Sequence, residues 1–146
     1  MLQTIINSLK SEVGNEIIGK TNLSPDKLDG VMSIIGDVTK KEVTSQMFGG
    51  NLSTVMNLFS NQKNNVAADQ LQSRISDGVL GNLVKKLGLS ENLARTIAQI
   101  AIPAIIGMIT KKNNQTPDDD PSPLNEIFGQ KGGGLGGLLG KFLGKR

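Results

Sequence analysis

Apolar residues recur at every third or fourth position along nearly the whole chain, and this spacing constrains the fold more than any other feature. It places apolar side chains on one face of an α-helix, whereas a half-buried strand requires alternation at every second position. No stretch alternates convincingly with a period of two. The sequence therefore predicts an all-α protein, a compact multi-helix bundle of about five helices.

Cap and turn residues divide this pattern into helical segments. Ser24 followed by Pro25 is typical of a helix start, and Ser90 indicates another. Gly88 and the sequence FGG at 48–50 indicate helix ends, and Asn51 or Ser53 is expected to begin a short helix. The predicted helices lie at about residues 2–19, 25–47, 53–59, 66–87 and 90–112.

The composition excludes several kinds of active site. The chain has 146 residues, enough for one domain with one core, and contains no Cys, no His, no Trp and no Tyr. Without His or Cys there is no Ser-His-Asp site, no Cys-His site and no zinc centre of the usual kind. Carboxylate or lysine chemistry stays open, but nothing in the pattern places such groups together. We therefore predict a non-enzymatic protein with no catalytic, cofactor-binding or metal-binding residues and no evident small-molecule substrate.

The net charge of +3 is unevenly distributed. Residues 1–112 carry 12 basic and 9 acidic side chains, residues 113–130 carry four acidic ones only, and residues 131–146 carry four basic ones only. A nucleic-acid-binding domain usually shows a denser basic stripe, often with stacking aromatic residues. Only three Arg are present, so nucleic-acid binding is disfavoured.

A compositional break divides the chain into three parts. Three Pro and three consecutive Asp at 113–123 indicate an extended, solvated linker. The acidic run lacks the alternating ligands and the turn glycine of a calcium loop. We predict a helical bundle domain at 1–112, an acidic linker at 113–130 and a Gly/Leu/Lys tail at 131–146. Within the linker, LNEIFGQ at 124–130 is either a single helical turn or a short docking segment, with Leu124, Ile127 and Phe128 as its apolar side.

The sequence predicts neither a signal peptide nor a transmembrane helix. The N-terminal segment MLQTIINSLKSEV is amphipathic and has no continuous apolar region. The most apolar run, residues 97–109, would rise roughly 20 Å as a helix, which is short of a bilayer core of about 30 Å. This run is interpreted as a buried core helix, with a membrane-inserted hairpin as the alternative. A cytoplasmic protein, with membrane association as an open alternative, is expected.

The sequences IIGDVTKK at 34–41 and IIGMITKK at 105–112 share six of eight residues. We interpret them as two helices with the same ending. In each, a glycine would permit close helix contact, and a lysine pair would complement the negative C-terminus of the helix.

The second half of the chain resembles a YidB-like bacterial family of unknown function. The resemblance covers roughly residues 80–146 and is carried by the GLS cap at 88–90, by Pro103 and Gly107 within an apolar helix, and by the terminal GGLGGLLGKFLG. It implies an all-helical fold and brings no catalytic residues.

The tail carries an apolar stripe. At about 100° per residue, five large side chains fall within an arc of roughly 140°, and four glycines occupy the other side. Glycine costs about 1 kcal/mol per position relative to alanine in a helix, whereas each large side chain contributes about 1.5–3 kcal/mol when buried. The tail is therefore expected to be disordered when free and helical when its stripe is covered. Its predicted contact residues are Leu135, Leu138, Leu139, Lys141, Phe142, Leu143, Lys145 and Arg146.

These features predict a helical interaction or assembly protein that self-associates and carries a conditionally helical docking tail. Its partner is expected to be another copy of itself or another protein. The alternative is a peripheral membrane protein whose tail binds an anionic lipid surface, to which basic residues are attracted. A third possibility is that the tail docks on the body of its own chain.

Overall fold

The computed structural model describes residues 2–114 and 122–128, and within them it contains helices and no strand. The prediction of an all-α fold is confirmed. A short 3₁₀ turn, Pro25–Lys27, precedes the second helix. The α-helices are α1 (Leu2–Thr21), α2 (Leu28–Phe48), α3 (Leu52–Leu58), α4 (Val66–Leu87), α5 (Glu91–Asn113) and α6 (Ser122–Phe128).

The four long helices form a closed bundle in which each packs against two others. Helix α1 packs against α2 and α5, and α4 packs against the same two helices on the other side. The short α3 lies against α2 and α4, whereas α6 contacts both α2 and α5. Phe128 of α6 stacks on Phe59, and Phe59 accepts a hydrogen bond from Asn113 at the C-terminal end of α5, so α6 lies at that end of the bundle. Helix α6 therefore closes that end.

The core is aliphatic apart from two phenylalanines. The largest fully buried side chains are Phe59 and Phe128, followed by leucines and isoleucines from every long helix. This agrees with a composition that offers no Trp or Tyr. The fully buried leucines and isoleucines are Leu9, Ile17, Ile35, Leu58, Leu71, Ile75, Leu83, Ile97, Ile105 and Ile109.

Glycines allow the helices to approach closely where branched side chains meet a neighbouring backbone. A Cβ placed on Gly78 of α4 would lie 2.7 Å from Val38 Cγ1 of α2. A Cβ on Gly14 of α1 would lie 2.9 Å from Leu28 Cδ2 of α2. Both distances are too short for a real Cβ contact. The end of the Leu28 side chain can move aside, whereas the Val38 methyl group is held on a stiff, branched side chain, so alanine at Gly78 would push the helices apart or force a strained rotamer.

The predicted ends of α4 and the start of α5 are confirmed in detail. Gly88 follows α4 with φ 69°, a left-handed conformation that glycine adopts without steric cost. The Ser90 hydroxyl oxygen accepts a hydrogen bond of 3.1 Å from the backbone N–H of Leu93. This bond satisfies one of the free donors at the start of α5.

The start of α2 differs from the prediction. Ser24 has an extended backbone as expected, but its side chain makes no capping bond to a backbone amide. Its hydroxyl donates instead to Asp26 Oδ1. This hydrogen bond, together with smaller contributions, lowers the pKa of the Asp26 carboxyl from its ordinary value. The chain then makes one 3₁₀ turn and enters α2 at Leu28.

The two copies of the IIG…TKK sequence do not share the same structural role. Gly36 is buried, and a Cβ there would lie 3.1 Å from Ile6 of α1. Gly107 faces open space with nothing within 4 Å. Lys111 and Lys112 lie in the last turn of α5, whereas α2 has no basic residue in its last turn because it continues to Phe48. The interpretation as two helices with one ending is therefore wrong.

Alanine at Gly78 should destabilise the protein, because the added methyl group would collide with Val38 in the α2–α4 contact. We expect Gly78→Ala to lower the free energy of unfolding by about 1–3 kcal/mol, measured by urea denaturation. Gly81 lies in the same helix with nothing within 4 Å of its Cβ position, and Gly81→Ala should raise it by about 0.5–1 kcal/mol. Equal stabilisation by both substitutions would contradict the close α2–α4 contact.

Candidate docking surfaces

The eight contact residues predicted in the tail lie outside the residues that the structure describes. Their role as a partner- or membrane-binding stripe therefore stays a prediction. The division of the chain at residue 112 also stays a prediction. One part of the expected linker is described, the segment Ser122–Phe128, and it packs on the bundle as α6.

Helix α6 is anchored by three apolar side chains at positions i, i+3 and i+4. Leu124 and Phe128 are fully buried, and Ile127 is 3% exposed. Side chains at this spacing lie on the same face of a helix. These are the three residues that the sequence assigns to the apolar side of a helical turn or docking segment. The structure shows both features together, a short helix that docks.

Phe128 packs directly on Phe59, which follows the end of α3. The two ring centroids are 5.8 Å apart, the planes are inclined by 27°, and both side chains are fully buried. Offset stacking at this separation is a favourable aromatic geometry. The Phe59–Phe128 contact therefore ties α6 to the segment that connects α3 with α4.

Asn113, the last residue of α5, joins the same contact from the other side. Its side chain is fully buried, and its Nδ2 donates a hydrogen bond of 2.9 Å to the backbone carbonyl of Phe59. A buried amide that lost such a partner would cost about 1–3 kcal/mol. Asn113 at the end of α5 thus lies beside Phe59, on which Phe128 stacks. Asn113 and Phe59 are 54 positions apart in the chain.

The free energy that holds α6 in place is small on balance. Three large buried side chains contribute roughly 5–9 kcal/mol in total. Ordering the backbone of seven residues costs roughly 7–14 kcal/mol. The two terms nearly cancel. The additional ring contact and local hydrogen bonds therefore determine whether docking of α6 has a favourable net free energy. Helix α6 is therefore held to the bundle by a small net free energy.

A cleft of about 430 Å³ lies beside α6, between α1 and α2. Its deeper wall is formed by buried apolar side chains, among them Ile6, Met32 and Phe128. Its rim is polar, and Lys10 pairs with Asp29 there at 2.6 Å. Because both rim side chains are largely exposed, this ion pair contributes little to stability. The accessible lining of the cleft is mixed, and it includes the half-buried Leu2.

The side of α5 that points away from the bundle is uncharged and mixes apolar residues with the exposed Gln99 and the half-buried Thr96 and Thr110. No charged residue occurs between Arg95 and Lys111. Five residues on this side are exposed or half-buried, and we call them the α5 outer face: Ile100, Pro103, Ala104, Gly107 and Met108. An uncharged surface of this kind on a soluble bundle is a candidate contact surface for another protein or for lipid.

Helix α5 is also long and apolar enough to cross a membrane, by length and composition. At about 1.5 Å per residue its 23 residues rise roughly 34 Å, more than the 13-residue apolar run suggests. In its most apolar window, 39% of the residues are buried within the bundle. Ile97, Ile105 and Ile109 of α5 are fully buried, whereas more than half of the window is not.

Metal chemistry has no candidate site in residues 2–114 and 122–128. No three Asp or Glu residues come together there in a way that could hold an ion.

Sequence analysis did not identify Asn113 and Phe59 as important contact residues. The sequence predicts Asn113 as the first residue of a polar linker. No local sequence pattern indicates that a single asparagine side chain is buried. Phe59 is only the last residue of the short helix that the sequence predicts at 53–59.

No family model, no curated protein and no solved structure matches this chain. The resemblance to a YidB-like family consequently stays a prediction.

Proposed function

We propose that this chain is a non-enzymatic helical interaction protein that assembles with further copies of itself. The observation that carries the proposal is the α5 outer face. Its Ile100, Ala104 and Met108 are only partly covered by the bundle. Two such faces brought together would remove apolar surface from water, which is the main driving force of association.

The α5 outer face is too small to form the whole interface between two copies. From Ile100 to Met108 a helix rises about 12 Å, whereas a stable interface buries about 800 Å² on each partner. One short helix face is smaller than that. We therefore propose that residues 131–146 form a further part of the interface between copies. Their apolar stripe contains Leu135, Leu138 and Phe142. These residues would become helical on docking.

A charge on the α5 outer face should prevent self-association. Gly107 is exposed with open space around it, so Gly107→Glu should leave the bundle folded. We expect the wild-type mass in light scattering to rise with concentration and that of Gly107→Glu to remain monomeric. A buried, unpaired carboxylate at an interface is strongly unfavourable.

The matched control is Gly19→Glu on α1, because Gly19 is also exposed and open. It should assemble like the wild type. If Gly107→Glu assembles equally well, the α5 outer face is not the interface.

Membrane binding is the second candidate function, and the length and composition of α5 favour it. In that case the α5 outer face and the tail would lie on an anionic lipid surface. The four basic residues of the tail, which include Lys141 and Lys145, would each add about 1 kcal/mol of attraction near the surface.

Vesicle flotation distinguishes the two functions. If the protein binds lipid, it should float with vesicles that contain phosphatidylserine, and removal of residues 131–146 should reduce the bound fraction at least tenfold. High salt should have a similar effect, because it screens the attraction of the basic residues. If the full-length chain stays in solution with anionic vesicles, the membrane function is excluded.

A further inference from the structure

We propose that the tail, residues 131–146, docks in the cleft between α1 and α2 of its own chain. In this position its apolar stripe is covered and is not available to a second copy. The inference rests on the proposed function and adds its regulation. Because the α5 outer face alone is too small for a stable interface, a copy assembles only after its tail has left the cleft.

Helix α6 ends at the cleft, and this identifies the occupant. Phe128 is the last residue of α6, and both Ile127 and Phe128 line the cleft. Six residues, 129–134, separate Phe128 from Leu135, the first residue of the stripe. Four of the six are glycine, so this connection can turn in many directions, and fully extended it reaches roughly 20 Å. The tail of the same chain therefore has a far higher effective concentration at the cleft than the tail of a second copy.

The cleft is long enough for the stripe. Its lining extends along residues 2–10 of α1 and along residues 29–40 of α2. At about 1.5 Å per residue these segments rise roughly 12 Å and 17 Å. A helical stripe over residues 135–143 rises about 12 Å. The whole stripe can therefore lie along the cleft.

The cleft also has an apolar floor and room for large side chains. Ile6, Met32 and Phe128 form its deeper wall, and the half-buried Leu2 adds accessible apolar surface. Its volume of about 430 Å³ corresponds to roughly 14 molecules of liquid water. Leucine and phenylalanine side chains that enter such a cleft lose their own contact with water, which favours docking.

The rim of the cleft leaves one carboxylate for the basic tail. It carries two acidic and two basic side chains, Asp29, Asp37, Lys10 and Lys40. Lys10 pairs with Asp29, whereas Asp37 is exposed and makes no ion pair with another residue of the described chain. Lys145 flanks the stripe and can pair with Asp37. An exposed ion pair contributes little free energy, so it would set the direction of the tail, and the apolar stripe would hold it.

Intramolecular cross-linking of the full-length chain tests the docking. The chain has no cysteine, so a pair can be introduced by substitution. Gly136→Cys places one cysteine beside the stripe, and Ser33→Cys places the other in the cleft. The matched control combines Gly136→Cys with Ser8→Cys. Ser8 and Ser33 are both exposed, but only Ser33 lines the cleft.

Ser8 and Ser33 lie at nearly the same height in the bundle, which makes the comparison fair. Gly36 of α2 lies against Ile6 of α1, and the two helices run in opposite directions. Ser33 is therefore level with about residue 9 of α1. The two cysteine pairs differ mainly in the side of the bundle that they present to the tail.

A short bis-maleimide applied at low protein concentration should give a cross-linked monomer. We expect at least fivefold more product with Ser33→Cys than with Ser8→Cys, and a yield that does not change with protein concentration. Adding Leu138→Asp, which charges the stripe and leaves the bundle unchanged, should reduce the Ser33→Cys yield to the control level. Equal yields from the two pairs would overturn the docking. A product that is mainly a covalent dimer would also overturn it, because the tail would then occupy the cleft of a second copy.

Light scattering of the cross-linked chain tests the regulation and separates it from the proposed function. The purified cross-linked monomer should stay monomeric at concentrations where the same variant, blocked with N-ethylmaleimide, assembles. If the cross-linked chain assembles equally well, docking does not withhold the tail and the regulation is refuted. If the wild type is monomeric at every concentration, the proposed self-association is refuted, and the cross-linking yields still decide whether the tail docks.

Discussion

The close contact of α2 with its neighbours is the constraint on which the rest of the structure depends. A core without Trp or Tyr has only aliphatic side chains and two buried phenylalanines to fill it, so it reaches native packing density by bringing helix backbones together. Gly14 and Gly78 provide this on either side of α2, where Leu28 and Val38 occupy the space that a Cβ would need. Four long helices fixed in this way leave one end of the bundle and one side of α5 available for contacts.

Those two places differ in how they are covered. The end of the bundle is closed by α6, a seven-residue helix whose burial and ordering terms nearly cancel. The outer side of α5 is only partly covered, and Ile100 and Met108 remain accessible there. Both surfaces are apolar, and neither brings titratable groups together for a reaction. The proposed function uses the outer side of α5 for contacts between copies.

Much of the fold could be predicted from helical periodicity and caps. The end of α4 and the start of α5 followed from Gly88 and Ser90. Two details failed for different reasons. Ser24 makes a local hydrogen bond to the Asp26 carboxylate, two positions later, instead of capping, whereas Asn113 is buried by a contact with Phe59, 54 positions away in the chain. The apolar side of α6 was predicted from three residues. Its partner Phe59 was not, because no local pattern indicates which distant ring completes a contact.

Hydrogen exchange of the full-length protein, followed by mass spectrometry, tests the central claim most directly: a rigid bundle carries a marginally held docking helix. Amides of helices in the core open only with most of the structure, whereas a weakly attached element opens by itself. We expect the amides of Ser122–Phe128 to exchange at least tenfold faster than those of residues 97–109 in α5. Equal and slow exchange in both segments would show that α6 is an integral part of the bundle, and it would contradict the account.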